Sequence, residues 1–146
     1  MRKLMLTLGM SLMLSAAQGA DEFKTLIDGY WAAWSTLDPA KAAPMYDQSA
    51  TAVYFDIAPL KYNGWNEYQE GVKKVFANAA SATFAANDDL KATRRGSLAW
   101  TSGTFHGTVK QKDGTTMNLV GRHTAIWEKR GAKWIIVHEH VSAPLP

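Results

Sequence analysis

The sequence predicts an α+β fold: a strongly bent, cone-shaped antiparallel sheet packed on an N-terminal helical layer. Three observations carry this. Phe23, Leu26, Ile27, Tyr30, Trp31, Trp34 and Leu37 recur at spacings of three and four, as do apolar residues from Trp65 onward, and both patterns are helical. Two hairpin signals, Asp113-Gly114 and Arg130-Gly131, divide a strand-rich second half, each placing glycine where a tight turn wants positive φ. Gly96, Gly103, Gly107 and Gly121 lie along those strands and let a sheet bend sharply.

The first twenty residues read as a signal peptide, not as part of the domain. Arg2 and Lys3 form a positive start, Leu4 to Leu14 is an apolar run, and small residues follow from Ser15 to Ala20. A run of about eleven apolar residues is too short for a bilayer, which needs about twenty. Cleavage after Gly19 puts Ala17 at the −3 position; cleavage after Ala20 puts Gln18 there. The expectation is therefore an exported chain, periplasmic or secreted, with one domain over residues 21–146. Removing Arg2 and Lys3 lowers the net charge from +3 to +1. That leaves no basic stripe for nucleic acid or an anionic membrane. Cysteine is absent. Thiol catalysis, thiolate metal ligation and disulfide stabilisation are excluded, and the core has to hold the fold alone.

The elements follow in order. Asp21 is the expected N-cap of the first helix. Asp38-Pro39 restarts a second helix, which Pro44 keeps short. Thr51 to Phe55 is rich in β-formers and reads as a strand ended by Asp56. A third helix is expected from about Trp65 to Ala80, with Trp65, Tyr68, Val72, Val75, Phe76 and Ala79 on one face. The remainder reads as an antiparallel meander, so the helices cover one face of a single sheet. A bent sheet closed by a Trp-bearing helix encloses a hollow suited to a small ligand.

The run from Trp127 through Trp134, His138 and His140 to Ser142-Ala143-Pro144 carries a resemblance, together with the Ile27–Leu37 helix, the Asp38-Pro39 restart and the Ala50–Asp56 strand. It resembles the nuclear transport factor 2-like superfamily, in particular the SnoaL-like proteins, ketosteroid isomerase and the association domain of calcium/calmodulin-dependent kinase. The resemblance covers the whole domain and speaks to fold more than to function, because this superfold hosts enzymes, carriers and oligomerisation modules.

For the site, the resemblance implies the following. The oxyanion-binding tyrosine of ketosteroid isomerase corresponds to Tyr30, and its general base to Asp56 or the residue beside it. Its protonated aspartate corresponds to a position near Ala125, where no acid stands, so half of the oxyanion hole is missing. Val137, Glu139 and Val141 are expected to face the pocket. Trp134, Ile136, His138 and His140 are expected on the outer face, where relatives dimerise.

Each candidate also has a plain structural reading. Asp56, at a strand end among Tyr54, Phe55 and Ile57, could be a desolvated base or a cap for the turn before Pro59. Tyr30 could donate to a ligand carbonyl or simply fill core. Trp34 and Trp65 are expected to line the mouth. Glu139 in an apolar strand needs a partner, for which Arg122 and His123 are the candidates; it would be either a second acid/base or half of a structural ion pair. His123 is placed in the pocket with it. His138 and His140 share a strand face and could together approach one metal, but the expectation is no metal and no cofactor. The chain is thus expected to bind a small, largely apolar organic molecule. If it is an enzyme, it would be a cofactor-independent isomerase, dehydratase or hydrolase with Asp56 as base. A non-catalytic dimerisation or ligand-binding module is the alternative, and a homodimer suits both.

Overall fold

The computed structural model describes the backbone of residues 7–144 and the side chains of residues 21–144. The signal segment read over residues 1–20 therefore has its first six residues and all its side chains outside the described part. Helix α1 spans Thr7–Ser35 and continues through Asp21, so Asp21 is an internal residue and not an N-cap. From Phe23 onward the three-and-four spacing works as expected: Phe23, Ile27, Tyr30, Trp31 and Trp34 are buried. Leu37, at φ 61°, turns the chain out of the helix in the left-handed conformation. Asp38 then caps α2 (Pro39–Ala42) by accepting from the Ala40 N–H, and Pro44 sits in a single 3₁₀ turn, Ala43–Met45.

After β1 (Val53–Phe55) and the two-residue β2 (Tyr62–Asn63) comes α3, Gly64–Val75, which buries Trp65, Tyr68 and Val72. It stops five residues before the expected end. Ala79 and Ala80 are helix formers by propensity, but they open β3 (Ala79–Ala86), where pairing with a longer strand outweighs that preference. The remaining strands are β4 (Lys91–Arg95), β5 (Leu98–Gln111), β6 (Thr116–Arg130) and β7 (Lys133–Ser142). Gly114 and Gly131 take positive φ at the two anticipated hairpins, and Gly96 does so at a third between β4 and β5.

The sheet runs β2-β1-β7-β6-β5-β3, with β4 also paired to β5. All pairs are antiparallel except β1 with β7, which is parallel. The sheet is open and curved, and α1 packs across its concave face. Glycines make two of the walls possible. A Cβ at Gly121 would lie 2.4 Å from the Phe105 ring and 2.7 Å from the Ser142 carbonyl oxygen; one at Gly107 would lie 2.3 Å from Phe84. Each phenylalanine lies flat on a strand position that has no side chain.

One irregularity decides which residues face inward. His138 pairs with Ile126, but Ile136 pairs with Trp127, so Val137 is the extra residue of a β-bulge. Before the bulge Trp134 and Ile136 point into the core; after it Glu139 and Val141 do. The expected alternation is therefore corrected. Val137 is half-buried and outside the pocket, and Trp134 and Ile136 are core residues, not part of an outer face.

Among the described residues no helix is long and apolar enough to cross a membrane. Replacing Gly121 by Ala should lower stability by about 1–3 kcal/mol, because the new methyl group must displace both Phe105 and strand backbone. Urea unfolding of the two proteins checks this, and equal midpoints would mean that the wall relaxes freely.

Candidate functional site

β1 and β7 lie side by side, with Tyr54 in register with Glu139. Both point inward. Asp56 is the next inward position after Tyr54, and Val141 the next after Glu139. The parallel pair thus places two carboxylates on one face, one residue pair apart.

The two carboxylates have opposite surroundings. Glu139 is completely buried. The Tyr68 hydroxyl donates to its Oε1 at 2.6 Å, the Tyr46 hydroxyl donates to its Oε2 at 2.7 Å, and His123 Nε2 stands 3.2 Å from Oε2. The Trp34 indole N–H donates in turn to the Tyr46 oxygen at 3.1 Å. Burial alone would push the Glu139 carboxyl up, but His123, Tyr68 and Tyr46 outweigh it and hold the group below the ordinary glutamate value. Burial and the Glu139 charge together push the Tyr46 and Tyr68 hydroxyls well above the usual phenol range, so both remain protonated donors.

Asp56 is half-buried and accepts only the Ile57 backbone N–H, at 2.7 Å. Burial pushes its carboxyl up to about 6, against the pull of that hydrogen bond and with help from the nearby Glu139 charge. Among the described residues it has no cationic partner.

Asp56 opens onto a cavity of about 240 Å³. Tyr30, Trp31, Trp34, Tyr68, Phe84 and Phe105 supply its aromatic wall, and Val141 lies on its β7 side. The rings brace one another: Trp31 stacks on Phe105 at 4.4 Å and meets Tyr30 edge-on at 4.7 Å. Ile57, Val75 and Met117, 46%, 59% and 45% exposed, also line the cavity and mark where it meets solvent. The Tyr30 hydroxyl is held well above the usual phenol range, by burial first and the Glu139 charge second.

Of the residues singled out from the sequence, Tyr30, Asp56, Trp34 and Val141 share this one cavity. Four do not line it. Trp65 packs tilted against Tyr46 at 4.7 Å within the core, His123 lies behind Tyr30 at 4.6 Å, Val137 is the bulge residue, and Glu139 is sealed beneath Tyr46 and Tyr68. The partner of Glu139 is His123, not Arg122.

Sequence reasoning missed Tyr46 and did not assign Tyr68 to a site. The signal that could have found them is the inward carboxylate itself, which demands donors, and these tyrosines stand near it only in the folded chain. Ala125, the position lacking the second acid of ketosteroid isomerase, lies directly across from Glu139. A carboxylate is therefore present one strand over, but it is turned to tyrosines and histidine and not to the cavity.

No three histidine or carboxylate side chains converge as a metal site among the described residues. His138 Nδ1 lies 2.8 Å from the Val53 carbonyl oxygen, and His140 is exposed.

A family model described as a SnoaL-like domain matches residues 24–146. A nuclear transport factor 2-like superfamily protein from Salmonella enterica serovar Typhimurium superposes with a TM-score of 0.80 at 21% identity, covering 90% of this chain and 94% of its own. A candidate calcium/calmodulin-dependent protein kinase II association domain from Xanthomonas campestris gives 0.72 at 22%, over 84% and 86%. A candidate scytalone dehydratase from Novosphingobium aromaticivorans gives 0.74 at 9%, over 92% and 89%. These likenesses establish the fold. No curated protein matches the chain.

Glu139→Gln should cost about 2–4 kcal/mol of stability, since three donors would then face a group that can no longer accept from all of them. The pH dependence has a definite sign. A carboxyl held below its unfolded value contributes above that value, and the contribution fades as pH falls through the folded one. The gap between wild type and variant, read by urea unfolding, should be widest near neutrality and narrow below about pH 4. A gap that widens on acidification would mean that Glu139 is buried protonated.

Proposed function

The chain belongs to the SnoaL-like domain family, and from that premise we propose that it binds a small, largely apolar organic molecule in the cavity bordered by Asp56, Tyr30 and Tyr68. The observation that carries this is the convergence of one desolvated carboxylate without a cationic partner and the Tyr30 phenol on a single aromatic hollow, with the Tyr68 ring as wall and its hydroxyl turned to Glu139. Few polar atoms in an otherwise hydrophobic cleft is the usual design of a small-molecule site.

The same groups would serve as a cofactor-independent enzyme acting at a carbon beside a carbonyl: an isomerase, a dehydratase or a hydrolase. Asp56, ionised above about pH 6, takes the proton. The Tyr30 hydroxyl donates to the oxygen on which negative charge develops. A small carbonyl library tests this, scored for turnover and for binding in wild type and Asp56→Asn. Turnover should rise with pH through about 6 and fall by about 10²- to 10⁴-fold in the variant. Equal turnover and binding in the two proteins would remove Asp56 from the site.

The non-catalytic reading is favoured by one feature: among the described residues the other inward carboxylate, Glu139, is sealed from the cavity. Binding without turnover across the library would select it.

Both readings are compatible with a homodimer and with an exported protein. After the correction at the bulge, the outer sheet face includes Trp100, Ile126, His138 and His140. Trp100 is 42% and Ile126 39% exposed, and the two are cross-strand partners. We place the two-fold contact there and read residues 1–20 as a leader removed on export. Light scattering and intact-mass measurement of the exported protein test both together: a dimer that starts near residue 20 or 21 is expected. A monomer at micromolar concentration, or an uncleaved chain, would remove the corresponding claim.

A further inference from the structure

We infer that the ligand carries a positive charge: the cavity is built for an apolar organic ammonium ion, held by Asp56 and the faces of the surrounding rings. This rests on the small-molecule reading above and narrows it to one ligand class.

The lining has a one-sided charge inventory. Among the described residues Asp56 is its only acidic side chain, and none of them lines the cavity with lysine, arginine or histidine. The nearest imidazole, His123, lies behind the Tyr30 ring and faces Glu139. Glu139 itself sits one residue pair from Asp56 on the same face of the sheet. Both carboxylates repel an anion, so carboxylate- and phosphate-bearing ligands are disfavoured. A neutral ligand without an O–H or N–H leaves Asp56 with its single hydrogen bond from Ile57, and a desolvated carboxylate so poorly partnered is costly. A cation relieves that cost most fully, because it supplies a counter-charge in a cavity whose wall is otherwise apolar and aromatic.

The wall is of the kind that receives a cation. Tyr30, Trp31, Trp34 and Tyr68 come from two helices, and Phe84 and Phe105 from two strands. A ring face carries negative electrostatic potential and attracts ammonium groups, most strongly when water is excluded. These rings are largely buried, with Tyr30, Trp31, Trp34, Tyr68 and Phe105 all at 5% exposure or less. The mouth, formed by Ile57, Val75 and Met117, is apolar, which suits a hydrophobic body attached to the charged head. The occupant that matches all of this is a compact alkyl or aryl ammonium. A sugar, a nucleotide and a fatty acid each fail on polarity or on sign.

Three probes of nearly equal size decide the matter: benzyltrimethylammonium, its uncharged carbon isostere neopentylbenzene, and anionic phenylacetate. The quaternary nitrogen keeps its charge at every pH. Trp31 and Trp34 line the cavity, so tryptophan fluorescence titration of the purified protein at pH 7.5 reports binding, and calorimetry checks it. We expect the ammonium to bind at least tenfold more tightly than either other probe. In Asp56→Asn the ratio of ammonium to isostere should collapse toward one; urea unfolding confirms that the variant is folded. A ratio below tenfold in wild type, or a ratio unchanged in the folded variant, overturns the inference. If the isostere binds at least as well, only the charge assignment falls and the apolar small-molecule site stands. If none of the three binds, the site reading falls with it.

Discussion

The structure depends on a carboxylate buried where water cannot reach it. Transferring an unpaired carboxylate into a protein interior costs several kcal/mol even after relaxation. Glu139 avoids that cost because Tyr46, Tyr68 and His123 arrive from three different elements to meet it. Its requirement ties together the 3₁₀ turn that leads into Tyr46, helix α3 that bears Tyr68, and strands β6 and β7. Trp34 extends the same chain of donors to α1. Few other contacts span so much of the fold, and the Tyr46 and Tyr68 rings are both anchored by it.

That carboxylate is on the inner face only because of the bulge at Val137. With strict alternation from Trp134 and Ile136, the inner positions would go to His138 and His140, and Glu139 would face out. One inserted residue allows two large apolar side chains and, beyond them, one charged side chain to share the same side of a single strand. The outer face consequently keeps the histidines, with His138 turned to the Val53 carbonyl at the seam of the parallel β1–β7 pair.

The contrast between the two acids is the chemical content of the site. Glu139 stands on β7 and Asp56 just past the end of β1, at the next inward position, yet one is saturated with donors and the other has a single backbone N–H. Its donors hold the Glu139 carboxyl below the ordinary value and turn it away from the cavity; burial with a single backbone donor pushes Asp56 up to about 6. Glycine at 107 and 121 contributes indirectly, since the absence of a side chain there lets Phe84 and Phe105 lie against the strands and leave the hollow in front of them open.

Much of this was legible in the residues alone. The helical spacing from Phe23 to Trp34, the Asp38-Pro39 restart and the Gly114 and Gly131 hairpins are local chemistry, determined by the residues within a few positions of each. They led to the fold class; Tyr30 and Asp56 were paired by the resemblance to ketosteroid isomerase, and both line one cavity. What the residues could not show is set by pairing between distant segments. Ile135, Ile136 and Val137 are all apolar, so no alternation reveals which of them is the extra residue; that follows from register against β6. Ala79 and Ala80 favour helix in isolation and become strand because β5 is there to pair with. Tyr46 and Tyr68 look like ordinary core tyrosines until β7 delivers a carboxylate 93 and 71 residues later in the chain. Sequence determines where local hydrogen bonds and turns form; only tertiary structure decides which buried charge meets which donor, because that depends on the strand register that brings them together.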